Sequence, residues 1–244
     1  MREFRFTFIV ICIGVSLFGL FNFAGGDFAL ATLWYQWQGD AWRLQHHWFT
    51  EQVMHQGVRN FNQLLLLTLL AYYGWQRFYH HRQDVALQTL GLLLLSLVLC
   101  FASVALLKRL LPTECPWDLQ QFGGPLPYIG LFAERPASMP NTQCFPAGHA
   151  SIGFAWISLF FYYSRLNAAK ATPALVIALT FGFSLGLVQQ LRGAHFFSHD
   201  IASALLCWLI AALVFQTARM QSQLKALWSK TSATNNPEQR SQLR

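Results

Sequence analysis

Charge is scarce in this chain. Only 11% of its 244 residues are Asp, Glu, Lys or Arg, against 54% that are hydrophobic, whereas an average soluble domain carries about 25% charged residues. That balance excludes an ordinary water-soluble globule and places the chain among membrane proteins. Acidic residues are scarcer still, 10 against 17 basic ones. Internal repeats and low-complexity runs are missing, which excludes a solenoid or array and leaves no linker to divide the chain. Residues 1–244 therefore read as a single membrane domain, with a polar, solvated tail from about 222. A small-x-small cleavage pattern is missing too: Ala24-Gly25-Gly26-Asp27 follows the first apolar run. That run reads as a retained anchor rather than a secretory signal.

What is present is long apolar sequence. Stretches at 6–24, 61–79, 85–107, 150–166, 173–191 and 198–216 each approach the roughly 20 residues that cross about 30 Å of hydrocarbon. The expected fold is all-α, a polytopic bundle of six transmembrane helices. Gln63, Tyr72, Tyr73 and Gln76 dilute the second stretch. The fourth and sixth are short and need aromatic or polar flanks at the interfaces.

Basic residues set the orientation. With the N-terminus inside, Arg2, Arg5, Arg77, Arg82, Arg165, Lys170, Arg219, Lys225, Lys230, Arg240 and Arg244 lie on the cytoplasmic side. Arg43, Arg59, Lys108, Arg109, Arg135 and Arg192 then lie outside, so both termini are expected in the cytoplasm. The net charge of +7 is mostly explained by cytoplasmic edges meeting anionic lipid, which leaves little for a nucleic-acid partner.

This topology puts segments 25–60, 108–149 and 192–199 on one outer face. Lys108 ends the third span, Phe145-Pro146-Ala147-Gly148-His149 opens the fourth, and Arg192-Gly193-Ala194-His195-Phe196-Phe197-Ser198-His199-Asp200 joins the fifth to the sixth. A compact bundle brings the three together. A phosphate ester demands fixed cations or N–H donors for its oxygens, a nucleophile, and an acid for the departing alkoxide. Lys108, Arg109 and Arg192 supply cations; Gly148 and Ser151, beside helix-opening N–H groups, supply further donors. His149, His195 and His199 supply imidazoles whose ordinary pKa of about 6.5 permits either protonation state near neutrality. His46, His47, His55, His80 and His81 lack such spacing and read as interface residues. Arg109 is as well suited to snorkel toward headgroups as to touch phosphate.

These residues resemble the type 2 phosphatidic acid phosphatases, a six-helix membrane group related to vanadium haloperoxidases. The family's first motif is a lysine followed, after six residues, by Arg-Pro; here Lys108 leads to Cys115-Pro116, so lysine and proline fit and arginine is replaced. Its second, Pro-Ser-Gly-His, is matched by Pro146-Ala147-Gly148-His149. Its third runs Ser-Arg, five residues, His, three residues, Asp, with a frequent Gly-x-His-x-x-Ser core; here Gly193, His195 and Ser198 fit that core, while Gln189 replaces the arginine and His199 the aspartate. The segments Cys115-Pro116-Trp117-Asp118-Leu119 and Cys144-Phe145-Pro146-Ala147-Gly148-His149 are similar to a divergent bacterial branch.

The resemblance implies that His195 attacks phosphorus and that His149 protonates the leaving oxygen. It also implies that Lys108 and Arg192 hold phosphoryl oxygens and that neither cofactor nor metal takes part. It implies a lipid phosphate as substrate, membrane lipids as partners, and the external face of a bacterial cytoplasmic membrane as the place. In a second register His199 is the nucleophile, with Ser203 where the acid would be. Asp200 falls one residue late to orient an imidazole if the segment is a regular helix. Arg192, three residues after the expected arginine, stays on nearly the same helical face. Arg135 is a further substitute for the missing arginine, or a partner of Glu134.

Three other readings stand beside this one. His195 and His199, at i and i+4, with His149 or Asp200 describe a zinc site, although the glutamate of H-E-x-x-H is missing. A phosphotransferase of the same fold would pass the phosphoryl group to a lipid acceptor. A catalytically inactive relative would bind or transport lipid. The sequence sets no oligomeric state.

Of five cysteines, Cys12, Cys100 and Cys207 lie in apolar spans and read as small buried hydrophobes. Cys115 and Cys144 share one external loop, where disulfides persist. A bond between them closes a loop of about 30 residues, worth roughly 3 kcal/mol in the chain-entropy model, and is expected to pin Lys108 and His149.

Overall fold

The computed structural model describes residues 2–234, and these form helices joined by loops, with no strand among them. Helix α1 (Arg2–Asn22) is followed by α2 (Gly26–Trp37). A continuous rod then runs from a π-helical segment, Phe49–Gly57, through α3 (Val58–Gly74) into a second π-helical turn, Trp75–Tyr79. Helix α4 (Val85–Leu110) is capped by Asp84, whose side chain accepts from the Leu87 N–H, satisfying one of the free donors of a helix start. Helices α5 (Gly148–Phe154) and α6 (Ser158–Leu166) are separated by a 3-10 turn, Ala155–Ile157. Helix α7 (Ala171–Leu191) and the long α8 (Phe197–Thr234) complete the bundle.

Among the described residues, four helical segments are long and apolar enough to cross a membrane: Arg5–Asn22, Val85–Leu110, Ala168–Leu191 and Phe197–Leu224. The expected second and fourth spans differ from these for physical reasons. Tyr72, Tyr73 and Gln76 lower the hydropathy of the 61–79 stretch, and the 3-10 turn divides 150–166 into two short helices. The expected polar tail is helical well past 222, since α8 continues to Thr234; residues 235–244, with Arg240 and Arg244, lie outside the described residues.

Helices α4, α5, α6 and α8 meet in a core that includes Leu97, Cys100, Phe154, Ile157 and Trp208. Close approach depends on small residues, the rule for helices packed in lipid. A Cβ on Gly153 of α5 would overlap the Gly182 backbone of α7, and one on Gly182 would overlap the Phe154 ring. Ser96 and Ser158 share a buried hydrogen bond of 2.7 Å between α4 and α6. Cys100 and Cys207 are buried as expected, but Cys12 is exposed, because it lies on the outward side of α1.

Helix α2 and the connecting segments share a second, smaller cluster, in which Ala31, Leu119, Phe122 and Phe196 pack with Phe28, Tyr35 and Trp42. These residues come from 25–60, 108–149 and 192–199. The three segments expected on one face thus share an apolar core of their own.

Candidate active site

The second expected loop is stapled twice. Cys115 and Cys144 form a disulfide with Cα atoms 5.3 Å apart. Arg135 pairs with the buried Glu114, not with Glu134, and donates to the carbonyls of Pro112 (3.2 Å) and Pro140 (2.9 Å) and to the Thr142 hydroxyl (3.3 Å). A guanidinium so engaged holds the loop together. It does not replace the arginine missing beside the histidines.

The staples bring Lys108 to the start of α5. Its Nζ donates to the Gln143 carbonyl at 2.6 Å, and a Cβ on Gly148 would sit 2.8 Å from its Cε. A side chain at 148 would therefore press on the flexible end of the lysine. Ser151 is buried with its hydroxyl committed to the Gly148 carbonyl at 2.6 Å, so it braces the first turn.

His195 and His199 lie with ring centroids 5.7 Å apart. His199 Nδ1 is 3.1 Å from the Cys144 carbonyl oxygen; with the proton on Nδ1 to meet that carbonyl, Nε2 keeps its lone pair. His195 is buried, and its Nδ1 has no hydrogen-bond partner. Burial first, and then the positive charge of Lys108 and the neighbouring imidazoles of His199 and His149, hold its pKa well below the usual 6.5. It is neutral at physiological pH, as a nucleophile must be.

His149 is reached from a segment that sequence reasoning left out. Its Nε2 lies 2.7 Å from the Met54 carbonyl oxygen, and its ring is 4.5 Å from that of His55. Burial and the neighbouring His55 lower its pKa to about 4. His55, grouped in the sequence with ordinary interface histidines, is a neighbour of the site. The one local signal was the stretch Glu51, His55, Arg59, which repeats every four residues and so puts charged groups on one helical face.

Arg192 also faces this segment. Its Nε donates to the Gln45 carbonyl at 2.9 Å and its Nη1 to Gln189 Oε1 at 3.1 Å. Gln189, which stands where the family motif has arginine, thus holds the arginine one turn away. The positive charge of Arg192 bears on both His55 and His149. A Cβ on Gly193, whose φ is +73°, would overlap the Trp42 ring, so glycine both permits the left-handed turn and admits the segment that carries Trp42.

Two expected site residues lie apart. Arg109 is exposed in the last turn of α4. Asp200 is fully buried against α7, where Oδ2 accepts from Gln190 Nε2 at 2.6 Å and a Cβ on Gly186 would overlap the carboxylate. The start of α8 is capped by a different acid: Asp27 of α2 accepts from both the N–H and the hydroxyl of Ser198. Burial raises the Asp27 pKa above the ordinary carboxylate value.

Cys144, His195 and His199 offer ligand-type atoms within 4.8 Å of one another. The sulfur belongs to the disulfide, so it provides no thiolate, the form that ligates zinc. It instead lies 2.8 Å from the Ala194 carbonyl oxygen. The zinc triads expected from sequence required His149 or Asp200 beside His195 and His199, and Asp200 is turned to Gln190.

The arrangement is therefore a set of buried, neutral imidazoles flanked by one lysine and one arginine at the loop end of apolar helices. The sequence profile of the PAP2 superfamily matches residues 89–223, which hold α4 through most of α8 and all three motif segments. The chain belongs to the PAP2 superfamily. That membership supports a phosphoric ester hydrolase, and the apolar helices of this PAP2 protein suit a membrane. No curated protein and no solved structure matches it.

Proposed function

We propose that this PAP2 protein is an integral membrane phosphatase that hydrolyses phosphate monoesters or diphosphates of lipids at the outer face of a bacterial cytoplasmic membrane. The observation that supports the reading is the convergence of three remote segments: Lys108 passes over Gly148 beside His149, His199 Nδ1 meets the Cys144 carbonyl, and the Ala147 N–H donates to the carbonyl of His199, whose ring neighbours that of His195. The rod 49–79 and the bent rod 148–166 would complete six crossings with the four apolar spans, with both termini inside.

In this reading His195 attacks phosphorus, forming a P–N bond as the P–O bond to the lipid breaks. His149 delivers a proton to the departing oxygen, and its low pKa rises when the phosphate's negative charge arrives beside it. Water then displaces the histidine and releases inorganic phosphate. Lys108 and Arg192 hold the nonbridging oxygens in a site where burial strengthens each contact. Asp200 takes no direct part and fixes α7 against α8.

The test is phosphate release by purified protein from a panel of lipid phosphates in detergent. Free phosphate supports hydrolysis. A phosphorylated lipid acceptor would instead support transfer, and bound but unchanged lipid would support a binding role.

A further inference from the structure

The end of the bundle opposite the histidines carries a cavity of its own. It holds about 340 Å³ and is lined by Phe161, Ser164 and Arg165 of α6 and by Phe215, Gln216 and Arg219 of α8. That volume falls within the roughly 300–1,000 Å³ of small-ligand sites. On each helix the aromatic ring and the arginine are four residues apart and so share one face. Phe161 and Phe215 are buried, with rings 5.8 Å apart, whereas Arg165 and Arg219 are exposed. Both helices run away from the histidines, and on both the aromatic comes first and the cation last. The cavity is therefore apolar in its depth and basic at its rim.

Its position suits a membrane interface. Arg219 follows His199 by 20 residues within α8, which at about 1.5 Å per residue is roughly 30 Å along the axis. That is about the hydrocarbon thickness of a bilayer. With the histidines at one interface, the two arginines sit at the other. Among the described residues no acid lines the cavity. Asp84, which precedes the lining residue Val85, accepts from the Leu87 N–H and pairs with Arg82 at 2.7 Å. The Ser164 hydroxyl donates to the Phe160 carbonyl at 2.7 Å, so the donor groups of the cavity are two guanidiniums and the Gln216 amide.

We infer that this cavity binds the phosphate of an anionic phospholipid from the leaflet opposite the histidines. Guanidinium forks match phosphate oxygens in both geometry and charge, and basic pockets between transmembrane helices hold anionic headgroups. A free phosphate would meet the arginines alone. The two phenylalanine rings below them add contact for the glycerol and first methylenes of a lipid, which favours the lipid as occupant. A headgroup held by Arg165 and Arg219 bridges α6 and α8, and by binding the folded chain it stabilises their packing. The inference stands apart from the phosphatase reading, since it uses none of the histidine site and its test needs no turnover.

The experiment titrates the full chain in neutral detergent with dioleoyl phosphatidylglycerol, with dioleoyl phosphatidylcholine and with inorganic phosphate, and counts bound ligand by native mass spectrometry. The wild type is expected to bind phosphatidylglycerol at least about tenfold more tightly than phosphatidylcholine. Arg165→Gln and Arg219→Gln are each expected to reduce that ratio by roughly tenfold, the size of one charge-assisted hydrogen bond. Lys170→Gln, at the same end but outside the cavity, is expected to leave it unchanged. Equal affinity of the wild type for the two lipids, or an equal loss in Lys170→Gln, would overturn the site. Inorganic phosphate is expected to bind alike to the wild type and to Arg165→Gln; a tenfold loss there would assign the cavity to free phosphate and overturn the lipid. The wild-type ratio needs no variant, so it decides the matter even where a substitution prevents folding.

Discussion

His199 Nδ1 meets the backbone carbonyl of Cys144, 55 residues earlier, at 3.1 Å, and Cys144 is itself tied to Cys115. A covalent staple thus sets the tautomer of a buried imidazole beside His195. The carbonyl stays where it is only while its residue is held.

Reduction should therefore reduce activity as well as stability. A strong reductant, or the Cys115→Ala/Cys144→Ala pair, is expected to cost roughly 3 kcal/mol of stability. Phosphate release should fall at least tenfold. Unchanged turnover after both thiols have been shown free by alkylation and mass spectrometry would contradict this.

His195 and His199 should not be equivalent. His195→Ala is expected to abolish turnover. His199→Ala should leave a measurable rate, reduced by about a hundredfold as for loss of a group that assists proton placement. Steady-state assays on the two purified variants decide the register, and the reverse pattern would assign the attack to His199.

The pH profile follows from burial. His195 is held well below 6.5 and His149 at about 4, both first by desolvation. The neutral nucleophile therefore persists below pH 6.5, and the acidic limb of kcat/KM should lie below that value. Stability has the same sign. Unfolded histidines take up protons near 6.5 while the folded ones do not, so stability is present above 6.5 and is lost as pH falls toward 4. A kcat/KM limb at or above 6.5 in the free enzyme would contradict the environment described for His195.

Gly186 should tolerate no side chain. Gly186→Ala would press a methyl group into the Asp200 carboxylate and its bond to Gln190. It is expected to destabilise the α7 and α8 pair by about 1–3 kcal/mol, the usual cost of overpacking. Thermal unfolding in detergent measures it, and an unchanged midpoint would contradict the packing.

Metal removal should do nothing. The sulfur nearest the two histidines is bonded to Cys115, and Asp200 faces Gln190. Exhaustive chelation is expected to leave phosphate release intact. A loss restored by zinc would revive the metal reading.

Some of this was legible in the sequence and some was not, and the division has a physical basis. Lys108, Gly148, His149, Arg192, His195 and His199 stand at ends of apolar runs, so hydropathy alone places them on one face. The Cys115–Cys144 bond agrees with the expectation from two cysteines that share one loop. The structure of segment 25–60 was opaque because it has no sustained apolar run, and its helix α2 and π-helical stretch are held by tertiary contacts such as Trp42 on Gly193 and Thr50 on the Leu44 carbonyl. His55 was lost with that segment. Arg135 was visible, but its partner Glu114 lies 21 residues away rather than next to it. The break at Ala155–Ile157 has no proline or glycine within it to announce it.

The most direct measurement is to quench the enzyme during turnover of a lipid phosphate, under conditions that preserve acid-labile phosphoramidates, and map the phosphoryl group by peptide mass spectrometry. The account predicts phosphate on the His195 imidazole, absent in His195→Ala. Steady turnover in which no histidine carries phosphate, or in which the phosphate resides on His149, would contradict it.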